Sequence, residues 1–367
     1  IEEAMIRLFA GRENLDKEKF VYENIEGEAV VIVPDQYTVV SEEQAIKYTG
    51  DTCLFDIEIF GMNRLGLRIL REKGMENMDV LDKYGRHLIL TRIINEKSGE
   101  LDIFKKSAKM PAFIQMINDF ISDCKRQNIS PSDLKETFSD EEIDNLLKGK
   151  LGEIINIYEE YEKEISGKYN DNEDYISKYV ESISESKFIK NKTVWIYGFD
   201  SITPKFLSAI IELAKYSRGV NIIINESNFG LDDIMTGMIM KSADMNGVPY
   251  EYQKIGSEYL LEKSFDISKI EEVLFSKNAL YDGRKIGTKG GIKIVESANP
   301  YYEAENAAAY IVKLIRDEGY RLKDIAIIAN EEKEMQSIIK RTFSEYGLDV
   351  FSDSRDKITG NPAVIFV

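Results

Sequence analysis

One histidine, two cysteines and no long apolar run are what the sequence is short of, and each scarcity closes off a class of function. With His87 alone, the commonest general base is nearly absent. Its setting in YGRHLILTRII has helical spacing and reads as a packed or half-exposed helix residue rather than a catalyst. Cys53 and Cys124 are far apart and lack C-x-x-C spacing, so with a single histidine they cannot build an ordinary zinc site. Both are expected to be reduced, structural thiols acting as small buried hydrophobes. A membrane span needs about 18 consecutive apolar residues. Neither such a run nor a basic-then-apolar leader is visible, and the chain reads as cytoplasmic, without a membrane. Basic residues are also in the minority. The net charge of −17 argues against a chain that grips nucleic acid over its whole surface, though a local basic groove fits within that total.

What is present is ordinary globular material. The 367 residues, 43% hydrophobic and 10% aromatic, suffice for two or three domains with a sizeable core. The stretch around which the rest is read is IRLFAGRENLDKEKF, Ile6 to Phe20: an apolar run, Gly11, a polar loop, Lys17 and a helix. Strand, glycine, loop, lysine, helix is the order in which a parallel-sheet protein presents a phosphate-binding loop. A working loop, G-x-x-x-x-G-K-[ST], needs a second glycine so that backbone N–H groups turn inward, and a hydroxyl after the lysine to hold Mg²⁺. Here Asp16 replaces that glycine and Glu18 replaces the hydroxyl. Two carboxylates repel a triphosphate, and Asp16 lacks glycine's backbone freedom. The expectation is a nucleotide-binding fold whose site is lost or badly weakened, with Gly11 and Lys17 as its remnants.

The following segments read as the rest of such a sheet. AVVIVPDQYTVVSEEQAI gives a buried strand from Val30 to Val33, a Pro-Asp turn and a helix. CLFDIEIFGMNRLGLRIL gives a third strand through Ile57 and Ile59 and a helix carrying Arg64, Arg68 and Arg71. From about Val80 to Glu185 the periods are helical, an inserted domain with start signals at Pro111, Ser130-Pro131-Ser132-Asp133 and Ser139-Asp140-Glu141-Glu142. Strand and helix alternation resumes at KTVWIYGFDSITPKF and GVNIIINE. A nucleotide-hydrolysing fold follows the strand ending at Ile196 with an acidic pair; here Tyr197, Gly198 and Phe199 follow, and Asp200 comes too late, reading as a turn or cap residue. Residues 227–290 are mixed, with a helical stretch at LDDIMTGMIMKSAD and a glycine-rich crossing whose Arg284, Lys285 and Lys289 read as a solvated loop. Beyond it, IKIVESA and DIAIIAN read as strands, NPYYEAENAAAYIVKLIRDEG and EKEMQSIIKRTFSEYG as helices, with a short strand around Val350 and Phe351. The apolar ending AVIFV gives the expectation of a polypeptide that continues.

These pieces resemble the AddB family, the subunits that partner AddA motors in bacterial AddAB helicase-nucleases. The resemblance rests on GRENLDKEKF, VVIVPDQYTVVSEEQA, IFGMNRLGLRIL, PAFIQMINDFISDCKRQNISPSDL, KLGEIINIYEEYEKEI, VWIYGFDSITPKF and ANPYYEAENAAAYIVKLIRDEGYRLKDIAII with EYGLDVFSD. It covers essentially the whole chain. The fold it implies is α/β: a superfamily-one-helicase-like parallel sheet domain with a large helical insertion, followed by the start of a second α/β domain. In residues, the first domain is split over 1–79 and 186–280, the insertion is 80–185, a linker is 281–291, and the second domain starts at 292 and runs to 367.

The resemblance also implies a role in end processing of DNA double-strand breaks for recombinational repair, within an exonuclease complex and as a heterodimer with an AddA-type motor subunit. In such helicases the second strand and its turn lie on single-stranded DNA, which puts Pro34, Asp35, Gln36 and Tyr37 at a backbone-tracking groove, with Phe60, Asn63 and Arg64 nearby. The arginine that ends the corresponding strand of a working second motor domain is here Asn330, a third departure beside the degenerate Walker A loop and Tyr197. The family's Mg-dependent nuclease domain and its iron–sulfur cluster lie C-terminal to the region matched, so this chain is expected to carry no cofactor, with ATP doubtful. A non-catalytic scaffold that guides or scans a DNA strand is the leading expectation. Against it stand an active ATP-dependent helicase with a divergent loop, for which Lys17 speaks, and a protein-interaction module without DNA contact, which suits the charge.

Overall fold

In the computed structural model, residues 5–50, 53–75, 81–137, 144–166, 168–169, 172–225, 233–274, 289–329 and 332–351 are described. They form two compact units, Ile1–Lys263 with Ser268–Lys285, and Ser264–Ile267 with Ile286–Val367.

The first unit is organised by a six-stranded sheet of β1 (Ile6–Gly11), β2 (Ala29–Ile32), β3 (Ile57–Phe60), β4 (Thr193–Ile196), β5 (Gly219–Asn225) and β6 (Tyr250–Lys254), in the order β3-β2-β4-β5-β1-β6. Every pairing is parallel, with Ile32 opposite Ile196 and Leu8 opposite Ile222. The continuous apolar runs AVVI, VWI and III are what a sheet buried on both faces requires. Alternation then sorts them. Ile6, Leu8, Val30, Ile32, Val194, Ile196 and Ile222 face one side, and Ala29, Val31, Trp195 and Ile223 face the other.

On the first side lie α3 (Met62–Glu72), α8 (Asn172–Ile183), α9 (Pro204–Tyr216) and α10 (Asp233–Asn246); on the second lie α1 (Lys17–Glu23) and α2 (Thr38–Thr49). Phe9 stacks on Trp195 with ring centres 5.8 Å apart, and Phe20 meets Phe9 edge-on at 5.0 Å, seating α1 over the middle of the sheet.

Between α3 and α8 the chain builds a helical body of α4 (Lys83–Glu96), α5 (Pro111–Arg126), α6 (Pro131–Thr137) and α7 (Asn145–Ile165), with its own core around Ile94, Ile117, Tyr158 and Tyr161. Pro111 stands at the first turn of α5, and Asp133 receives the Ser130 N–H and hydroxyl at the start of α6. The start signal at residues 139–142 lies outside the described residues. Although α8 falls within the stretch 80–185, its Tyr179 and Ile183 are buried against the sheet's helices and not in the insertion's core. His87 is half-buried on α4. Cys124 is buried and its thiol is pushed up by that burial, whereas Cys53 is exposed, so the expectation of two buried thiols holds for one of them.

After β6 comes α11 (Phe265–Leu274). In the second unit α12 (Pro300–Glu318) and α13 (Glu332–Glu345) pack through Ala304, Ala308, Ile339 and Phe343. Asn299 caps α12, accepting the N–H groups of Tyr301 and Tyr302. The strands expected at IKIVESA, DIAIIAN and around Val350 and Phe351 are not strands here: their described residues join no ladder, and Ile294 and Ile328 are 95% and 97% exposed. Apolar alternation sets up a strand, but only a paired neighbour makes one.

Candidate functional site

Because every strand of the sheet is parallel, all six carboxyl ends open on one edge, where ligands of doubly wound sheets bind. Four chain crossings at that edge carry the candidate residues.

The first follows β1. Gly11 is closely overlain: a Cβ there would lie 2.6 Å from Leu15 Cδ1 and 3.1 Å from Ile255 Cδ1 and would have to turn these side-chain tips aside. The loop after it is knitted to the segment after β6. Leu15 bridges Leu260, the Asp16 N–H donates to the Tyr259 carbonyl at 2.7 Å, and the Leu261 N–H donates to the Asn14 carbonyl at 2.8 Å. Within the loop the Leu15 N–H donates to Arg12 O and the Lys17 N–H to Leu15 O. Asp16 caps α1, taking the Lys19 N–H on one carboxylate oxygen at 2.9 Å and the Tyr48 hydroxyl on the other at 2.7 Å. Lys17, its side chain 12% exposed, donates to Glu13 at 3.0 Å and to the Asn225 side-chain carbonyl. Glu18 is half-buried; desolvation, with the Asp16 charge adding to it, raises its carboxyl above the ordinary value.

The second and third crossings follow β4 and β5. Tyr197 is buried just past β4, donating to Ser41 Oγ at 2.8 Å, with its hydroxyl oxygen 3.1 Å from that of Tyr22. Burial raises both phenols. Asp200 is exposed and lies 3.5 Å from the Asn225 amide, while the cap of α9 is Thr203. A polar chain thus runs Glu13, Lys17, Asn225, Asp200 across the ends of β1, β5 and β4. Sequence reading did not single out Asn225. The signal available was its place as the polar residue closing the apolar run NIIIN.

The fourth crossing joins the ends of β2 and β3. The Val33 N–H donates to the Phe60 carbonyl at 3.0 Å, and Gly61 is so close to Asp35 that a Cβ would lie 1.6 Å from its Oδ1. Pro34 packs on Gly198, which holds φ +81. Asp35, Gln36 and Tyr37 form a single 3₁₀ turn on the surface, Tyr37 being 48% exposed. Asn63 and Arg64 are exposed on the first turn of α3. Phe60 instead turns inward, partly buried with its ring 6.0 Å from Phe188, so its side chain packs rather than presenting a free stacking face. Six of the seven DNA candidates therefore share one surface, while Gly11 and Lys17 lie three strands away along the same edge. Asn330, Arg284 and Lys285 lie outside the described residues; Lys289 does not stand free, its N–H donating to Asp266. Among the described residues no group of three or more His, Cys, Asp or Glu side chains is placed to hold a metal ion, and no helix is long and apolar enough to cross a membrane.

A model of the family described as "ADDB, N-terminal" matches residues 8–271. Curated relatives include the B subunit of the ATP-dependent helicase/deoxyribonuclease of Clostridium tetani, 30% identical over 369 aligned residues that cover 96% of this chain and 32% of the relative. The protein of the same name from Alkaliphilus oremlandii is 31% identical over 98% of this chain and 33% of its own length, and that of Acetivibrio thermocellus is 27% identical over the same shares. The chain spans about a third of the length of these relatives.

Proposed function

The chain belongs to the AddB N-terminal family, and on that premise we propose that it is the helicase-like part of a non-motor subunit in an ATP-dependent helicase–deoxyribonuclease that processes DNA double-strand breaks. In this reading it works in the cytoplasm beside an AddA-type motor subunit, scaffolds that motor, and guides or scans a DNA strand. It does not hydrolyse ATP itself, and it carries no cofactor of its own.

The observation that supports the non-motor reading best is the state of the loop after β1. The backbone N–H groups of Leu15, Asp16 and Lys17 are each taken by a carbonyl, and the Lys17 ammonium by Glu13 and Asn225. A phosphate would have to displace these bonds and then sit beside the carboxylates of Asp16 and Glu18. At the end of β4, where catalysis by hydrolysis wants acids, Tyr197, Tyr22 and Ser41 satisfy one another. The strand-guiding role is supported by the exposed Pro-Asp-Gln-Tyr turn beside Asn63 and Arg64, an aromatic face and a cation on one surface.

Thermal melting of the chain in Mg-ATP and in ADP tests the first half. A ligand at about a hundred times its dissociation constant adds roughly 2.7 kcal/mol of stability, a plainly visible shift. The expected result is no shift at millimolar nucleotide. A shift that disappears in Lys17→Ala would instead establish a divergent but working nucleotide site.

A further inference from the structure

The two edges of the sheet are finished differently. At one edge β6, YEYQK, shows mostly polar, exposed residues including Lys254, the usual defence of a free edge. At the other edge β3, IEIF, has no lysine, proline or bulge, and its one charge, Glu58, is held by Lys192.

The outer side of β3 has backbone to offer. The carbonyl of Asp56 accepts the Ala29 N–H at 2.8 Å and that of Phe60 accepts the Val33 N–H, so both point towards β2. Backbone groups alternate sides along a strand, so those of Ile57 and Ile59 point away from the sheet. Among the described residues no strand pairs with them.

Alongside runs a groove between α2 and β3 of about 360 Å³, lined by Glu42, Ile46 and Leu54 with the strand itself. It adjoins a second of about 660 Å³ through Leu54 and Ile57, which Phe55, Asp56 and Glu23 help to line. Neither is lined by a lysine or arginine. Glu42 and Asp56 are exposed carboxylates with no ion pair among the described residues, and Ile46 and Phe55 are 43% and 87% exposed.

We infer that the β3 edge is a docking site for an extended segment of a partner polypeptide in which lysine or arginine alternates with aliphatic residues. The segment adds a seventh strand through the N–H and C=O groups of Ile57 and Ile59. Its aliphatic side chains, all on the α2 face, cover Ile46 and Leu54, and its cations, on the opposite face at the open edge, are attracted through solvent by the carboxylates of Asp56 and Glu42. Main-chain bonds supply the register and alternate side chains the selectivity, as in other cases of strand addition. The inference uses neither the phosphate loop nor the Pro34 turn and stands apart from the DNA-guiding role.

The test uses the chain as it is and a short, amidated, fluorescent peptide alternating lysine with valine. Saturable binding is expected, with amide exchange at Ile57 and Ile59 slowed about tenfold or more. Glu42→Lys with Asp56→Lys, both exposed positions, should weaken binding several-fold. The same peptide N-methylated at alternate residues keeps its charge but cannot form a ladder, and should not bind. No binding by the parent peptide, equal binding by the N-methylated one, or unchanged exchange at Ile57 and Ile59 would each overturn the proposal, equal binding pointing to mere attraction between a cationic peptide and an acidic protein.

Discussion

Glu18 sits at the first turn of α1 with its carboxyl raised above 4.5, mainly by burial and next by the Asp16 charge. A raised folded-state value means that the folded chain holds this proton more tightly than the unfolded chain does. The stabilisation is complete below the unfolded value and is lost as pH rises through the folded one. Glu18→Gln is therefore expected to raise the melting temperature at neutral pH and to flatten the melting profile above about pH 4.5. An unchanged profile would remove Glu18 from the account. Tyr197 offers a second residue-level measurement. Tyr197→Phe takes away the hydroxyl shared by Ser41 and Tyr22 and leaves those groups buried, so a loss of about 1–3 kcal/mol is expected in denaturant unfolding. These roles are only half legible in the sequence. That Asp16 and Glu18 replace a glycine and a hydroxyl is visible there; that Asp16 becomes the helix cap, tied to Tyr48 and Tyr259 from distant segments, is not.

Among the elements, the turn after β2 and the start of α3 act as one piece, because Asp35 lies against Gly61. Gly61→Ala is expected to turn the Asp35 carboxylate aside and to crowd the Asp35 Cα, 3.2 Å from the added methyl, shifting the turn by a few tenths of an ångström. Its effect should be weaker single-strand binding by the assembled complex, with the melting response to nucleotide unchanged; binding at the parental level would separate the turn from DNA. Five of the six strands are readable from their apolar residues: β2, β4 and β5 carry runs such as AVVI that burial on both faces demands, and β3 shows itself through Ile57 and Ile59. The sixth was missed: YEYQK is an exposed edge strand and carries a polar pattern. Conversely, IKIV and DIAII read as strands but join no ladder among the described residues, because alternation reports an apolar face and not whether a neighbour is there to pair with it. In the same way α8 reads as one more helix of the insertion, and only its packing shows Tyr179 and Ile183 under the sheet.

At the scale of the whole molecule, a chain with net charge −17 has to confine any contact with DNA to a small surface. Tyr37→Ala and Arg64→Ala, both exposed on the edge formed by β2 and β3, are each expected to weaken single-strand binding by the assembled complex. Loss of a stacked base costs about 1–3 kcal/mol. Melting should be unchanged, and binding unchanged in both variants would retire that surface as the strand guide.

The order of the sheet also sets a timetable for synthesis. Of the six strands β1 is made before the others, yet both strands that flank it, β5 and β6, are among the last parts of the first unit to emerge, with the whole helical insertion made in between. The insertion closes its core from near neighbours and can fold while the ribosome is still adding residues. Strand β1, with Ile6 and Leu8 destined to be fully buried, has to wait uncovered until Val220 and Tyr250 arrive. The segment that anchors the finished fold is thus the one a growing chain must keep from sticking to anything else.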